Sequence, residues 1–347
     1  MFEKIKRDLE KYEGLSYLVD DIYLHKNEFK DLYKYGMVLL GPDSFIQGEA
    51  LSIIDFFRQK RFDLVSVKFK VLNRTQVEHL FLPTSSCIKC GDLKWWMIQD
   101  SADQGMFCGV LFFCDDASEE VNCLNKLNMY KGRSNPLDNA SGVVRYDFSA
   151  INVCLNLIHV PDTYGDFFKD TSPFYGIGEL AEITRLKKND CYMEENYEFQ
   201  IKLHENVNKY SFEILLYKVK YYLICLITNK CNHELNSTYY QNQYNIIVNL
   251  ATREEKNNYV KKNITKEMNM LNNAEDVLLT KLRNDYDKKN IGIILDDLNV
   301  LRLLKIFTYP LNYKQYNRDI FNELRVYGIR ISDFEKLILN TSLIQWK

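Results

Sequence analysis

The sequence predicts an α+β fold, a ferredoxin-like βαββαβ antiparallel sheet with helices on one side, followed by an additional C-terminal domain of mixed, mainly helical character. Three observations predict it. Four apolar or alternating runs of strand length lie between Tyr35 and His159. Stretches with helical spacing separate the first run from the second and the third from the fourth. Beyond Gly178 the texture changes, first to strand-leaning segments and then to long stretches of helical rhythm. The pattern divides the 347 residues into an N-terminal helical extension over 1–33, a sheet domain over 34–180 and a C-terminal strand and helix domain over 181–347.

Each element has its own reason. Residues 1–33 are rich in Lys, Glu and Asp with apolar residues at helical steps, which predicts one or two short helices appended to the main domain. Gly36, Met37, Val38, Leu39 and Leu40 form an apolar strand, ended by the turn residues Gly41, Pro42, Asp43 and Ser44. From Gln47 to Lys60, Ala50, Ile53, Ile54 and Phe57 fall on one helical face. Phe62 to Val71 alternates, with Leu64, Val65, Val67, Phe69 and Val71 set against Asp63, Ser66, Lys68 and Lys70, as in a strand. A short helix is expected over Arg74–Phe81 and a third strand over Phe107–Phe113. Val121, Leu124 and Leu127 share a face within Glu119–Met129, and a Gly/Ser/Asn/Pro-rich loop follows from Lys131 to Asn139. Ile151 to Ile158 reads as the fourth strand, ending at His159. Further on, Glu198–Lys202, Tyr217–Thr228 and Tyr244–Leu250 lean to strand. Arg253–Lys288, Asp296–Phe307 and Asp319–Leu339 carry helical periodicity.

Composition narrows the function classes. Apolar residues make up 46% and charged residues 27%, and the chain holds 24 tyrosines and 20 phenylalanines, enough apolar area for a packed core. The formal net charge is -2, so no bulk field draws the chain to nucleic acid, and no apolar run reaches bilayer length. The first residues, Phe2 to Asp8, are too charged for a secretion signal, and nine cysteines without a repeating spacing suit a reducing, cytoplasmic setting without disulfides. Cys87-x-x-Cys90 lacks the second pair that a zinc site requires, while Cys108 and Cys114 fit as small core residues. No metal-ligating set is assigned.

The chemistry concentrates around one histidine. His159 closes an apolar run inside Asn156-Leu157-Ile158-His159-Val160-Pro161-Asp162-Thr163. An imidazole is nucleophilic and can be neutral near pH 7, and a phosphate bonded to its nitrogen stays labile enough to be passed on. Leu40-Gly41-Pro42-Asp43 follows the first strand, and the loop Gly132-Arg133-Ser134-Asn135-Pro136 leads to Arg145-Tyr146-Asp147-Phe148. These three segments, in order and in register with the strand pattern, resemble the nucleoside diphosphate kinases over residues about 35–178. The resemblance implies a phosphoryl transfer that passes from a nucleotide, through a phosphohistidine at His159, to an acceptor. ATP or another nucleoside triphosphate would be the donor and Mg²⁺ the counterion for its phosphates.

The same resemblance implies the other roles. Asp170 stands where the family has a glutamate bonded to the other ring nitrogen. Arg145 matches a phosphate-binding arginine and Ser134 a threonine. Asn156 shapes the pocket, and Trp95 or Trp96 falls near the base-stacking aromatic. The chain also departs from the pattern. Gly41 replaces the family's lysine, Asn128 a phosphate-contacting arginine and Leu80 an aromatic, while Lys131 and Arg133 are the loop cations available to restore charge. An added C-terminal domain implies a specialised small-molecule acceptor, not necessarily a nucleotide. Two other readings follow from the departures: a catalytically lapsed nucleotide-binding or scaffold module, and a nucleotide-dependent transferase of altered chemistry. The family forms homo-oligomers, hexamers built from dimers, which appended segments could block.

Overall fold

A computed structural model of the chain describes residues 2–12, 15–81, 95–186 and 197–204. Within the C-terminal part it describes 212, 215–216, 218–220, 222–223, 226, 299–300, 302–304, 306–307 and 320–345. The chain divides into two compact units, Met1–Lys209 and Tyr210–Lys347.

The first unit is built on a four-stranded antiparallel sheet of order β2-β3-β1-β4, with β1 at Tyr35–Leu40, β2 at Asp63–Lys70, β3 at Phe107–Phe113 and β4 at Ile158–His159. This is the predicted ferredoxin-like topology. β1 and β3 are buried at every position, because both faces of the sheet are covered. The crossover helices Ala50–Gln59 and Cys123–Lys131 cover one face, where Ile53, Ile54, Phe57 and Leu127 pack against Val38, Leu40, Val67 and Phe112. There Phe57, Phe62 and Phe112 meet with ring centroids 5.5 to 6.2 Å apart. The opposite face, which the one-sided arrangement would leave bare, is covered by the N-terminal helices Phe2–Leu9 and Ser16–Leu24. It is also covered by Tyr164–Thr171 and Ile177–Leu186. Ile5, Leu9, Leu18 and Ile22 therefore belong to the same core as Met37, Leu39, Phe167 and Phe168.

Two boundaries and one burial pattern differ from the sequence reading for identifiable reasons. The second crossover helix starts at Cys123, since Asn122 and Asn125 form a reciprocal capping box, which leaves Val121 outside and exposed. Both Leu64 and Val65 are buried in β2 because a bulge between Leu64 and Ser66 breaks the alternation. The strand expected over Ile151–Ile158 shrinks to Ile158–His159. Asn152 Oδ1 accepts from the N–H groups of Cys154 and Leu155, and Leu157 adopts φ 70°, so the chain turns there.

One buried carboxylate ties that turn to the first strand. Asp43 is 4% exposed and its Oδ2 accepts from Leu157 N–H at 2.8 Å, while Gly41 N–H donates to Leu157 O at 2.9 Å. β1 in turn pairs Leu39 with His159 and Leu40 with Ile158.

Tyr197–His204 is a helix, contrary to the strand expected at Glu198–Lys202, and packs Tyr197 and Ile201 into the core of the first unit. The predicted strand over Tyr217–Thr228 is likewise overturned: Lys218–Lys220, Tyr222, Leu223 and Leu226 are helical. The buried set Leu216, Val219 and Leu223 steps by three and four, a helical face hidden inside a run apolar enough to read as a strand. Helices Ile320–Val326 and Asp333–Gln345, separated by Gly328 at φ 79°, continue the second unit, where Lys218 pairs with Glu335 at 3.2 Å. The segments Tyr244–Leu250 and Arg253–Lys288 lie outside the described residues.

This packing has two measurable consequences. A Cβ on Gly165 would run into the Asp8 side chain, so Gly165→Ala should loosen the N-terminal helix and cost about 1–3 kcal/mol in urea denaturation. Burial pushes the Asp43 carboxyl up to about 6 from 3.8, against hydrogen bonding from Leu157 and the pull of Arg145. A folded-state value above the unfolded one means that the folded protein binds the proton more tightly. Stability from this group is therefore present at low pH and lost as pH rises through about 6, by on the order of 3 kcal/mol. Urea titrations from pH 4 to 7 should show that slope in the wild type, and Asp43→Asn should flatten it.

Candidate active site

β4, the Gly41–Asp43 turn, the loop after Lys131 and the Tyr164–Thr171 helix converge on a cavity of about 340 Å³. His159 lines it, 30% exposed at its side chain. Its Nε2 lies 2.7 Å from Asp170 Oδ2, and the carboxylate is fully buried. The strand fixes where the ring starts and the helix fixes what holds it. With Nε2 engaged, Nδ1 is the nitrogen left for other chemistry.

Asp170 has a second partner. Lys169 Nζ stands 3.0 Å from its Oδ1, an ionic contact off the direction of a hydrogen bond. That ammonium is 2% exposed, donates to Leu80 O at 3.0 Å and sits 4.9 Å from the ring centre of Tyr12. Tyr12 belongs to the N-terminal segment and also lines the cavity. Phe81 stands edge-on to the His159 ring at 6.0 Å.

Arg145, on the short Val144–Asp147 helix, is 4% exposed. It donates to Gly132 O at 3.0 Å and to Ile158 O at 2.9 Å, so it clamps the loop onto the strand beside the cavity that it lines. Burial pushes its guanidinium down to about 10, opposed by Asp43 and Asp162. Lys131 lines the cavity as well, with Nζ 3.2 Å from Val160 O and 3.5 Å from Asp162. Burial lowers its pKa, opposed by Asp162. Ser134 and Asn156 join the lining, the latter donating to Val153 O at 2.8 Å.

The remaining expected residues fall elsewhere. Arg133 is exposed, and its backbone N–H donates to Asn139, which ties down the loop and not the cavity. Trp96 is half-buried on the Trp95–Ala102 helix and outside the lining, to which that helix contributes Ile98, Ser101 and Ala102. The side chain of Trp95 lies outside the described residues. At position 41 no cation is present, and Asn128 donates to Pro161 O at 2.8 Å, a structural contact. The segment with Cys87 and Cys90 is not described, and among the described residues no group of three or more His, Cys, Asp or Glu could hold a metal ion. Cys108 and Cys114 are core residues as expected. Among the described residues no helix is long and apolar enough to cross a membrane.

The sequence reading missed Lys169 and Tyr12. Lys169 carried a signal, since it adjoins Asp170; Tyr12 carried none, because nothing in residues 1–33 marks them as part of a site.

No protein-family model matches the chain. A nucleoside diphosphate kinase of Fervidobacterium nodosum is 27% identical over 145 residues, which is 42% of this chain and 90% of that protein. Human nucleoside diphosphate kinase A is 26% identical over 161 residues, 45% of this chain and 94% of that protein. A solved nucleoside diphosphate kinase family protein of Babesia bovis aligns with 42% of this chain and 90% of its own, at 16% identity and a TM-score of 0.35. Over somewhat less than half its length, then, this chain is similar to the nucleoside diphosphate kinases at a divergence that leaves about one residue in four identical.

Proposed function

We propose that the chain is a phosphotransferase of the nucleoside diphosphate kinase type, with His159 Nδ1 accepting the phosphoryl group. The observation that carries the reading is the 2.7 Å contact of Nε2 with buried Asp170, which holds the ring while Nδ1 stays unengaged beside a cavity lined by Arg145 and Lys131. In the first half-reaction the Nδ1 lone pair attacks the terminal phosphorus of a nucleoside triphosphate, and the bond to the bridging oxygen breaks, releasing the diphosphate. In the second, an acceptor oxygen attacks that phosphorus and the nitrogen–phosphorus bond breaks, regenerating the imidazole. Asp170 keeps the ring oriented in both steps and stabilises the positive charge that the ring gains on attack.

The charges around the cavity limit how the donor binds. Lys131, Arg145 and Lys169 face Asp43, Asp162, Asp166 and Asp170, so the lining is no reservoir of positive potential for a polyphosphate. A divalent cation bound to the phosphates would supply what the lining lacks. Asp162, 79% exposed at its side chain, is a hard oxygen donor of the kind Mg²⁺ takes beside phosphate oxygens.

A second reading, a nucleotide-binding module without transfer chemistry, draws on Gly41 and on the tethering of Lys131 and Asn128 to Val160 O and Pro161 O. Loss of one preorganised electrostatic donor costs about 10²- to 10³-fold in rate. Incubation with γ-labelled ATP and Mg²⁺ separates the two. The first reading gives an acid-labile, alkali-stable adduct in the wild type and none in His159→Ala. The second gives a nucleotide-dependent rise in melting temperature with no adduct. Label retained in His159→Ala removes the histidine from its role. Replacing the lost lysine is not expected to raise the rate. A Cβ at position 41 would stand 2.6 Å from Asp43 Oδ1, so Gly41→Lys should displace that carboxylate, cost about 1–3 kcal/mol in denaturation and leave labelling no faster.

A further inference from the structure

The His159–Asp170 pair rests on groups outside the three segments that carry the resemblance. A carboxylate held at one oxygen can still swing about its terminal torsion, which is broad. Asp170 is held at both: Oδ2 meets His159 and Oδ1 meets Lys169. Lys169 is enclosed in its turn. Leu80 O accepts one of its hydrogens at 3.0 Å, and the face of Tyr12 lies over the ammonium at 4.9 Å. Tyr12 is itself fixed, because its hydroxyl donates to Asp166 Oδ1 at 2.5 Å while Thr163 Oγ1 donates to Asp166 Oδ2 at 2.8 Å. Removing an ammonium from water is costly unless charge and hydrogen bonds replace the hydration, and a 2% exposed lysine beside a fully buried carboxylate meets that condition on every side. The cation–π contact adds most where the ammonium is desolvated, as it is here.

We propose that Lys169 and Tyr12 are positioning residues for His159. Lys169 locks the Asp170 carboxylate through Oδ1, and Tyr12 closes the N-terminal segment over Lys169. The locked carboxylate keeps the ring proton on Nε2 and Nδ1 bare. The inference deepens the phosphohistidine reading and rests on it for its functional meaning, but the tautomer it specifies is a property of the free protein. The N-terminal segment is then part of the active site, and its loss would disturb the nucleophile without removing any residue that touches the nucleotide's reacting atoms.

The test uses the full chain with ¹⁵N-labelled histidine and reads the His159 nitrogen shifts at a pH where the imidazole is neutral. Four proteins are compared: wild type, Lys169→Met, Tyr12→Leu and Tyr12→Phe. Wild type should show the Nε2–H form predominating. Lys169→Met and Tyr12→Leu should lower the ratio of Nε2–H to Nδ1–H by about tenfold, the scale of one charge-assisted hydrogen bond. Tyr12→Phe, which keeps the ring, should stay closer to wild type. In single-turnover labelling with ATP, the two disruptive variants should react about tenfold more slowly at saturation, with the half-saturating ATP concentration unchanged. If Lys169→Met fails to fold, Tyr12→Leu decides the matter, since it removes no buried charge. A wild-type tautomer ratio in a folded Lys169→Met or Tyr12→Leu overturns the proposal, and a Tyr12→Phe protein as disturbed as Tyr12→Leu overturns the part given to the ring. Wild type that takes no phosphate from ATP overturns the phosphotransfer reading alone, since the tautomer comparison needs no nucleotide.

Discussion

The contact between His159 Nε2 and Asp170 Oδ2 is the constraint around which the first unit is arranged. A strand of only two residues delivers the ring, and it can be that short because β1 pairs with it directly and Asp43 anchors the preceding turn at Leu157. The carboxylate arrives on a helix that buries Phe167 and Phe168 in the core and carries the charged pair Lys169–Asp170 at its end. Gly165 lets that helix come close to the N-terminal helix at Asp8. Packing far from the cavity thus decides the distance between two side-chain atoms inside it.

Electrostatics explains why so many charges tolerate burial here. Asp43 accepts a backbone N–H, Arg145 donates to two backbone carbonyls, and Lys169 lies against a carboxylate, a carbonyl and an aromatic face. Each has local partners, which for Asp43 and Arg145 offset the cost of burial only in part. The result is a lining with nearly balanced charge, unlike a basic phosphate funnel. At Gly41 the space for a side chain is bounded by Asp43 Oδ1, so any residue with a Cβ there must displace that carboxylate.

Much of this was legible from residues alone. β1, β2 and β3 show apolar or alternating patterns of strand length, and the spacing of Ala50, Ile53, Ile54 and Phe57 marks the buried face of its helix. The order of elements carried the sheet topology. His159, Arg145, Ser134 and Asn156, which lie in the motif segments, line one cavity together with Asp170 and Lys131. What failed did so where tertiary context overrides pattern. A single asparagine, Asn152, turns an apolar run away from strand geometry. Leu216, Val219 and Leu223 form a helical stripe inside a run apolar in every direction. Tyr12 reaches the site only because a helix from residues 1–33 docks on the face that a one-sided sheet would leave open, and no local pattern encodes that docking.

Phosphoryl transfer to Nδ1 of His159 is read most directly from the phosphorus–nitrogen scalar coupling in phosphorylated protein carrying ¹⁵N-histidine. A single coupled resonance assigned to Nδ1 of His159 is expected, with Nε2 showing the shift of a hydrogen-bonded N–H. Coupling to Nε2, or to any other histidine, would contradict this assignment, because the nitrogen that faces Asp170 would then be the one that reacts.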